Sequence, residues 1–130
     1  MKYLLDVNVL VALGFLHHEF HDRVALWLRN EKFPQLLTCS ITELGFVRVL
    51  AQAPGYAFST QQARSLLLKL KKNRVVPLSF VADENDISKL PAWVKTPRQT
   101  TDGHLLELAA EHGAALATLD RAIPGAHVIP

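Results

Sequence analysis

The stretch that decides the fold is MKYLLDVNVLVAL, residues 1–13. Tyr3, Leu4 and Leu5 form a short apolar run typical of a buried strand, and apolar residues recur with helical spacing from Val7 to Leu13. Asp6 lies at the junction, where an acid caps a helix and complements its dipole, an effect worth roughly 0.5–2 kcal/mol. Because Asp6 also heads the apolar face of that helix, it places a charge at the edge of the predicted core.

The rest of the chain repeats this alternation of strands and helices. The further predicted elements are a helix at Phe20–Asn30, a strand at Gln35–Cys39, a helix opened by the capping-box pattern Ser40-Ile41-Thr42-Glu43, a helix capped by Ser59 that runs to about Lys72, an edge strand at Arg74–Leu78, a helix at Thr101–His112, and strands at Ala114–Leu119 and Ala126–Ile129. Residues 82–100 are predicted as loop with a helical turn or two. The alternation predicts one α/β domain over residues 1–130, a three-layer α/β/α sandwich with a central parallel sheet.

Composition and charge limit the class of protein. With 130 residues, of which 49% are hydrophobic and 20% charged, the chain can bury a real core. The net charge of +2 permits a polyanionic partner but does not demand one. Cys39 has no partner for a disulfide, so we expect a buried thiol in a reducing compartment. No apolar run approaches the roughly 18–20 residues of a membrane span, and the N-terminus lacks a signal-peptide pattern, so we expect a soluble cytoplasmic protein.

Four acidic side chains are predicted to meet at one edge of the sheet. Asp6 and Asp120 follow strands, whereas Glu43 and Asp102 open helices. In a parallel sheet these positions share the edge at which ligands bind. Any one acid is explained by helix capping, but four crowded carboxylates repel one another unless a cation lies between them. Oxygen donors without paired thiols or imidazoles favour Mg²⁺ or Mn²⁺ over zinc, and such an ion supports phosphodiester hydrolysis.

Several short segments carry a family resemblance. They are Leu5-Asp6-Val7-Asn8-Val9-Leu10, His21-Asp22-Arg23-Val24-Ala25-Leu26-Trp27, Thr42-Glu43-Leu44 followed by Arg48, Thr101-Asp102-Gly103-His104-Leu105, and Thr118-Leu119-Asp120-Arg121. In this order, over nearly the whole chain, they resemble the PIN-domain ribonucleases and specifically the VapC-type toxins of bacterial toxin–antitoxin pairs. The sequence departs from that pattern at Gly103, where a better helix former is common, and at Leu119, where an aromatic residue often lies.

The resemblance implies an activity and partners. The four acids would be the catalytic residues and would bind one or two Mg²⁺ or Mn²⁺ ions for endoribonucleolytic cleavage of RNA, with Asn8 and Thr118 as supporting residues. Proteins of this family usually form homodimers, and a cognate antitoxin blocks the acidic site, often through an arginine. Arg98 and Arg121 lie close to the acids in sequence and are candidates for binding substrate phosphates. The RNA target is not specified by the sequence.

Other candidate sites have competing explanations. His17 and His21 have helical spacing that suits zinc, but no third ligand accompanies them. The basic cluster of Lys69, Lys71, Lys72 and Arg74 fits the C-terminal end of a helix, where cations complement the dipole, as well as an RNA-backbone contact. Trp27 and Trp93 could stack on bases, but Trp27 lies in a predicted amphipathic helix and is expected in the core or at a dimer contact.

Two other functions compete with the nuclease. In an aspartate-based phosphate-switch domain Asn8 would replace the second Asp of the phosphatase pattern, and the receiver's Lys after the last strands is missing. A non-catalytic metal-binding interaction module would keep the same acids for structure alone. Loss of RNA cleavage on Asp6→Asn or Asp102→Asn, with the fold intact, separates the nuclease from both.

Overall fold

A computed structural model describes all residues from Met1 to Pro130, which form a parallel sheet flanked by helices. The strands are β1 (Lys2–Leu5), β2 (Gln35–Thr38), β3 (Leu78–Phe80), β4 (Ala115–Thr118) and β5 (His127–Val128), in the spatial order β3-β2-β1-β4-β5. The helices are α1 (Val7–Gly14), α2 (His21–Asn30), α3 (Ser40–Gln52), α4 (Thr60–Lys71) and α5 (Thr100–Glu111). Every strand pair is parallel, which confirms the predicted α/β fold class.

The sheet separates two hydrophobic clusters. Successive side chains of a strand point to opposite faces, so Tyr3 and Leu5 join a large cluster with α1 to α4, while Leu4 joins a smaller cluster with α5. Trp27 of α2 is only 4% exposed and packs edge-on against Tyr3, with ring centroids 4.9 Å apart. Cys39 is buried in the smaller cluster as a free thiol, as predicted. The layers are therefore helix, sheet and helix.

The register of the central strands brings three polar strand ends together. β1 lies between β2 and β4, and Leu4 of β1 aligns with Leu37 of β2 and with Leu116 of β4. The backbone N–H of Asp6 continues the β1–β4 ladder by donating to the carbonyl of Ala117 at 2.9 Å. The carboxyl ends of these strands consequently lie side by side, where the sequence predicts a ligand site.

The predicted third strand is displaced along the chain. The prediction placed it at Arg74–Leu78, whereas β3 begins only at Leu78. The side-chain oxygen of Asn73 accepts the backbone N–H groups of Val75 and Val76, which holds this segment in a turn. Pro77 offers no backbone N–H, so regular pairing starts after it. The edge position was predicted correctly, because β3 pairs only with β2.

The predicted capping box of the third helix is also displaced, by one residue. Cys39 occupies the N-cap position, and its backbone N–H donates to the hydroxyl of Thr42 at 3.0 Å. The prediction gave these positions to Ser40 and Glu43. Because Thr42 makes the capping bond, the carboxylate of Glu43 is free to bind elsewhere.

The segment before α5 packs closely against that helix at Gly103. It contains two short 3-10 turns, Ile87–Lys89 and Pro97–Gln99. A Cβ atom at Gly103 would lie 2.3 Å from Cγ2 of Val94, closer than two carbon atoms can approach. This contact gives a structural reason for the departure from the family pattern at Gly103. No helix in the structure is long and apolar enough to cross a membrane.

Candidate active site

Three of the four predicted acids line one open cleft at the carboxyl edge of the sheet. The cleft has a volume of about 340 Å³. Its polar lining residues, which we call the acidic cleft, are Asp6, Asn8, His18, Tyr56, Asp102 and Asp120. They come from the start of α1, the connector after α1, the turn after α3, the first turn of α5 and the segment after β4.

Asp6 is held in one orientation by two hydrogen bonds. It is the N-cap of α1, and its Oδ1 accepts the backbone N–H of Val7 at 2.8 Å. Its Oδ2 accepts the hydroxyl of Thr118 at 2.7 Å. Only 8% of Asp6 is exposed, so both bonds form in a largely desolvated setting. The predicted cap is confirmed, but the second bond fixes the carboxylate beyond what capping requires.

Thr118 connects the polar groups of the cleft. Besides donating to Asp6, its hydroxyl accepts the backbone N–H of Asp120 at 3.0 Å and Nδ2 of Asn8 at 3.3 Å. A hydroxyl offers one donor and two acceptor sites, so every site of this buried side chain is used. The Oδ1 of Asn8 in turn accepts the backbone N–H of Leu119 at 3.2 Å. Thr118 and Asn8 therefore orient Asp6 and the segment after β4, and their supporting role in catalysis stays a prediction.

Burial and mutual repulsion oppose ionisation in the acidic cleft. Burial raises the pKa of Asp6, and the nearby charge of Asp120 raises it further, although the hydrogen bonds from Thr118 and Val7 partly compensate. The pKa of Asp102 is raised by burial and by the charges of Asp6 and Asp120. The three carboxylates are thus close enough to destabilise one another at neutral pH. A cation bound among them would remove this conflict.

Glu43 lies outside the acidic cleft. Its Oε2 accepts the hydroxyl of Thr38 at 2.6 Å and the ammonium of Lys71 at 2.7 Å. It lines a separate groove of about 330 Å³, formed by Ser40, Glu43, Leu44, Val47, Arg64, Leu67, Leu68 and Phe80. Glu43 therefore does not line the acidic cleft, although its partner Thr38 ends β2 at the same edge of the sheet. In addition, no three acidic, histidine or cysteine side chains lie close enough together to surround one ion as they stand.

The remaining predicted site residues are dispersed. Arg98 and Arg121 are exposed, and neither lines the acidic cleft. The histidines predicted as a weak zinc candidate do not converge. Nδ1 of His21 contacts the carbonyl of Ala12 at 2.7 Å, whereas Nδ1 of His18 accepts the backbone N–H of Phe20 at 3.0 Å.

Three residues beside the predicted acids were not predicted as part of the site. His18 and Tyr56 line the acidic cleft from irregular segments, so no periodic pattern could have placed them there. Burial lowers the pKa of His18, which favours a neutral ring that accepts at Nδ1 and donates at Nε2. Lys71 was predicted only as part of a basic cluster, and its pairing with Glu43 depends on the packing of α4 beside α3.

The comparison with known families decides the classification. The family described as PIN domain matches residues 3–126. This chain belongs to the PIN-domain family. Ribonuclease VapC44 of Mycobacterium tuberculosis is 33% identical over 137 aligned positions, covering 97% of this chain and 94% of that protein. Ribonuclease VapC38 of the same species is 37% identical over 131 positions, covering 92% and 86%. The predicted family is therefore confirmed.

Solved structures agree with the fold of this PIN-domain chain. Mycobacterium tuberculosis VapC20, described as a toxin that cleaves the sarcin-ricin loop, aligns with a TM-score of 0.66 at 15% identity, over 98% of this chain and 99% of that one. VapBC2 from Rickettsia felis, bound to a DNA fragment from its promoter, aligns with a TM-score of 0.64 at 16% identity, over 98% and 97%. At such identities the likeness shows the fold alone.

Proposed function

We propose that this PIN-domain protein is a VapC-type toxin, an endoribonuclease that uses Mg²⁺ or Mn²⁺ to cleave phosphodiester bonds in RNA. The observation that carries the proposal is the convergence of Asp6, Asp102 and Asp120 in one cleft, where burial and the neighbouring carboxylates raise the pKa of Asp6 and of Asp102. The relatives named as VapC ribonucleases support the reaction class.

The donor atoms of the acidic cleft suit a hard divalent ion, although its carboxylates have to move closer together to surround one. Asp6, Asp102 and Asp120 offer only carboxylate oxygens, the donors that Mg²⁺ and Mn²⁺ prefer. The single imidazole of the cleft, His18, has its Nδ1 occupied by the N–H of Phe20. We expect the three aspartates to hold the ion, which when bound would activate a water molecule and offset negative charge on the phosphate.

The protein's own residues supply orientation. Val7 and Thr118 fix both oxygens of Asp6, and the backbone N–H of Leu119 fixes the amide of Asn8. Because these bonds are already formed in the free protein, the carboxylate of Asp6 needs little reorganisation when substrate arrives. The cleft is open rather than enclosed, which suits an extended strand of RNA. Arg98 and Arg121 are proposed to bind phosphates farther along that strand.

An antitoxin is the expected protein partner. VapBC2 has the same fold and was crystallised as a toxin–antitoxin pair. A basic side chain of a partner would find three repelling carboxylates in the acidic cleft, and its insertion there would block access of both metal ion and RNA. We further propose that the chain forms a homodimer, as its family resemblance implies.

A phosphate-switch function is not favoured, because no lysine lines the acidic cleft. The non-catalytic interaction module is separated from the nuclease by experiment. Purified protein freed of antitoxin is incubated with total bacterial RNA in Mg²⁺ or Mn²⁺, with EDTA in a parallel sample. Discrete fragments that require the metal support the proposal, and mapping of their ends identifies the target.

Matched carboxylate variants make this test specific. Asp102→Asn is expected to abolish cleavage, whereas Asp22→Asn, at an exposed acid in the first turn of α2, is expected to leave it unchanged. Cleavage by Asp102→Asn at the wild-type rate, or equal cleavage in EDTA, would contradict the proposal. Absence of cleavage by the folded wild type would favour the interaction module.

A further inference from the structure

Glu43 already has a cationic partner inside the protein. Nζ of Lys71 lies 2.7 Å from Oε2 of Glu43, and the two side chains are only 27% and 20% exposed. The hydroxyl of Thr38 donates to the same oxygen at 2.6 Å. The ammonium also lies 5.3 Å from the ring centroid of Phe80, within the range of a cation–π contact.

This ion pair differs from an ordinary pair at a helix end. Lys71 belongs to the last turn of α4, but its side chain reaches Glu43 in the first turn of α3 and the ring of Phe80 at the end of β3. The neighbouring Lys69 and Lys72 are exposed and make no ion pair. Arg64 lines the same groove without bonding to Glu43. Two contacts, with the carboxylate of Glu43 and with the ring of Phe80, restrict the ammonium, so it loses less conformational entropy than a free surface lysine would on pairing.

The distribution of charge has a consequence for metal binding. Three aspartates share the acidic cleft, which no lysine or arginine side chain lines, whereas the charge of Glu43 is already balanced by Lys71. In two-metal sites, carboxylates bind two divalent ions that act together on the phosphate. We propose that Lys71 is a positioning residue that takes the place of the second ion at Glu43, so that the site binds a single divalent ion at the three aspartates.

The pairing still leaves Glu43 able to interact. Oε2 is bound by Lys71 and Thr38, whereas Oε1 makes no hydrogen bond within the protein. Glu43 can therefore accept a hydrogen bond from water or from a ribose hydroxyl while its position is fixed. This inference rests on the proposed metal-dependent nuclease, so its test measures metal binding rather than activity.

The test counts bound Mn²⁺ by electron paramagnetic resonance of the free ion during titration of the purified, full-length protein. We expect about one equivalent per chain for the wild type and about two for Lys71→Met, which keeps most of the unbranched side chain but removes its charge. Lys71→Arg should restore a stoichiometry of about one. Lys72→Met, at the exposed neighbour, should behave as the wild type.

Two further variants separate failure of the inference from failure of the proposed function. Asp102→Asn should weaken the first equivalent, and adding Glu43→Gln to Lys71→Met should remove the second. Two equivalents in the wild type, or no gain in a folded Lys71→Met protein, would overturn the inference and leave the nuclease proposal intact. If the wild type binds no Mn²⁺, the proposed metal dependence of the nuclease fails, and the single-ion inference fails with it.

Discussion

Replacement of Thr118 by valine should destabilise the fold through the acidic cleft. Valine keeps the shape of threonine but removes the hydroxyl that donates to Asp6 and accepts from Asp120 and Asn8. A hydrogen bond to a charged group contributes about 1.5–3 kcal/mol, and an unpaired buried donor costs about 1–3 kcal/mol. Because the N–H of Asp120 and the amide of Asn8 are only partly buried, water recovers part of that cost. We expect a loss of about 2–4 kcal/mol in the free energy of unfolding.

The pH dependence gives this prediction a sign. Burial raises the pKa of Asp6, whereas the hydrogen bond from Thr118 lowers it, because that bond stabilises the ionised carboxylate. As the pH falls through the folded-state pKa, Asp6 becomes neutral and the penalty of Thr118→Val should shrink. Urea unfolding in EDTA, at neutral and at acidic pH, measures both effects. Thr118→Ser keeps the hydroxyl and loses one methyl group, about 1 kcal/mol. Equal losses for Val and Ser, or a penalty that grows towards acidic pH, would refute the argument.

Three further predictions follow from other contacts. Asp102→Asn should abolish cleavage. It should also raise the urea midpoint of the metal-free protein at neutral pH, because it removes a carboxylate that repels its neighbours. This gain in stability should vanish as the pH falls through the raised pKa of Asp102. Gly103→Ala should lower the free energy of unfolding by about 1–2 kcal/mol, because overpacking against Val94 outweighs the better helix propensity, and Val94→Ala should restore it. Burial and the hydrogen bond to Glu31 raise the pKa of Tyr3 to about 12. The contribution of Tyr3 to the free energy of unfolding should therefore be lost as the pH rises from 10.0 to about 12. In an absorbance titration of the phenolates, the ionisation near the upper end of that range should be absent from Tyr3→Phe.

The layers of the fold could be predicted because they depend on local patterns. The run Tyr3-Leu4-Leu5 and the helical spacing after it place β1 and α1, and the alternation of strands and helices then favours a parallel sheet. The displaced third strand shows the limit of such patterns. Val75 and Val76 have high strand propensity, but the side chain of Asn73 binds both backbone N–H groups and overrides that preference.

The positions of the acids could be predicted only as far as backbone topology determines them. Asp6 and Asp120 follow adjacent strands, so their proximity follows from strand order once β1 and β4 pair. The case of Glu43 differs, because its carboxylate is directed by side-chain contacts. Thr38 and Lys71 determine where it lies, and Lys71 is 28 residues distant in sequence. A pairing at that separation depends on how α3 and α4 pack, which no local pattern specifies.

The contrast between the two groups of acids has a thermodynamic consequence. Asp6, Asp102 and Asp120 repel one another in the free protein, whereas Glu43 is already stabilised by Lys71. A ligand that binds only the native state stabilises it by about 2.7 kcal/mol at a concentration of 100 times its Kd. Stabilisation by Mn²⁺ should therefore be lost in Asp102→Asn and largely kept in Glu43→Gln. Equal losses in both variants would show that the four acids act as one cluster, and the separate role of Glu43 would have to be abandoned.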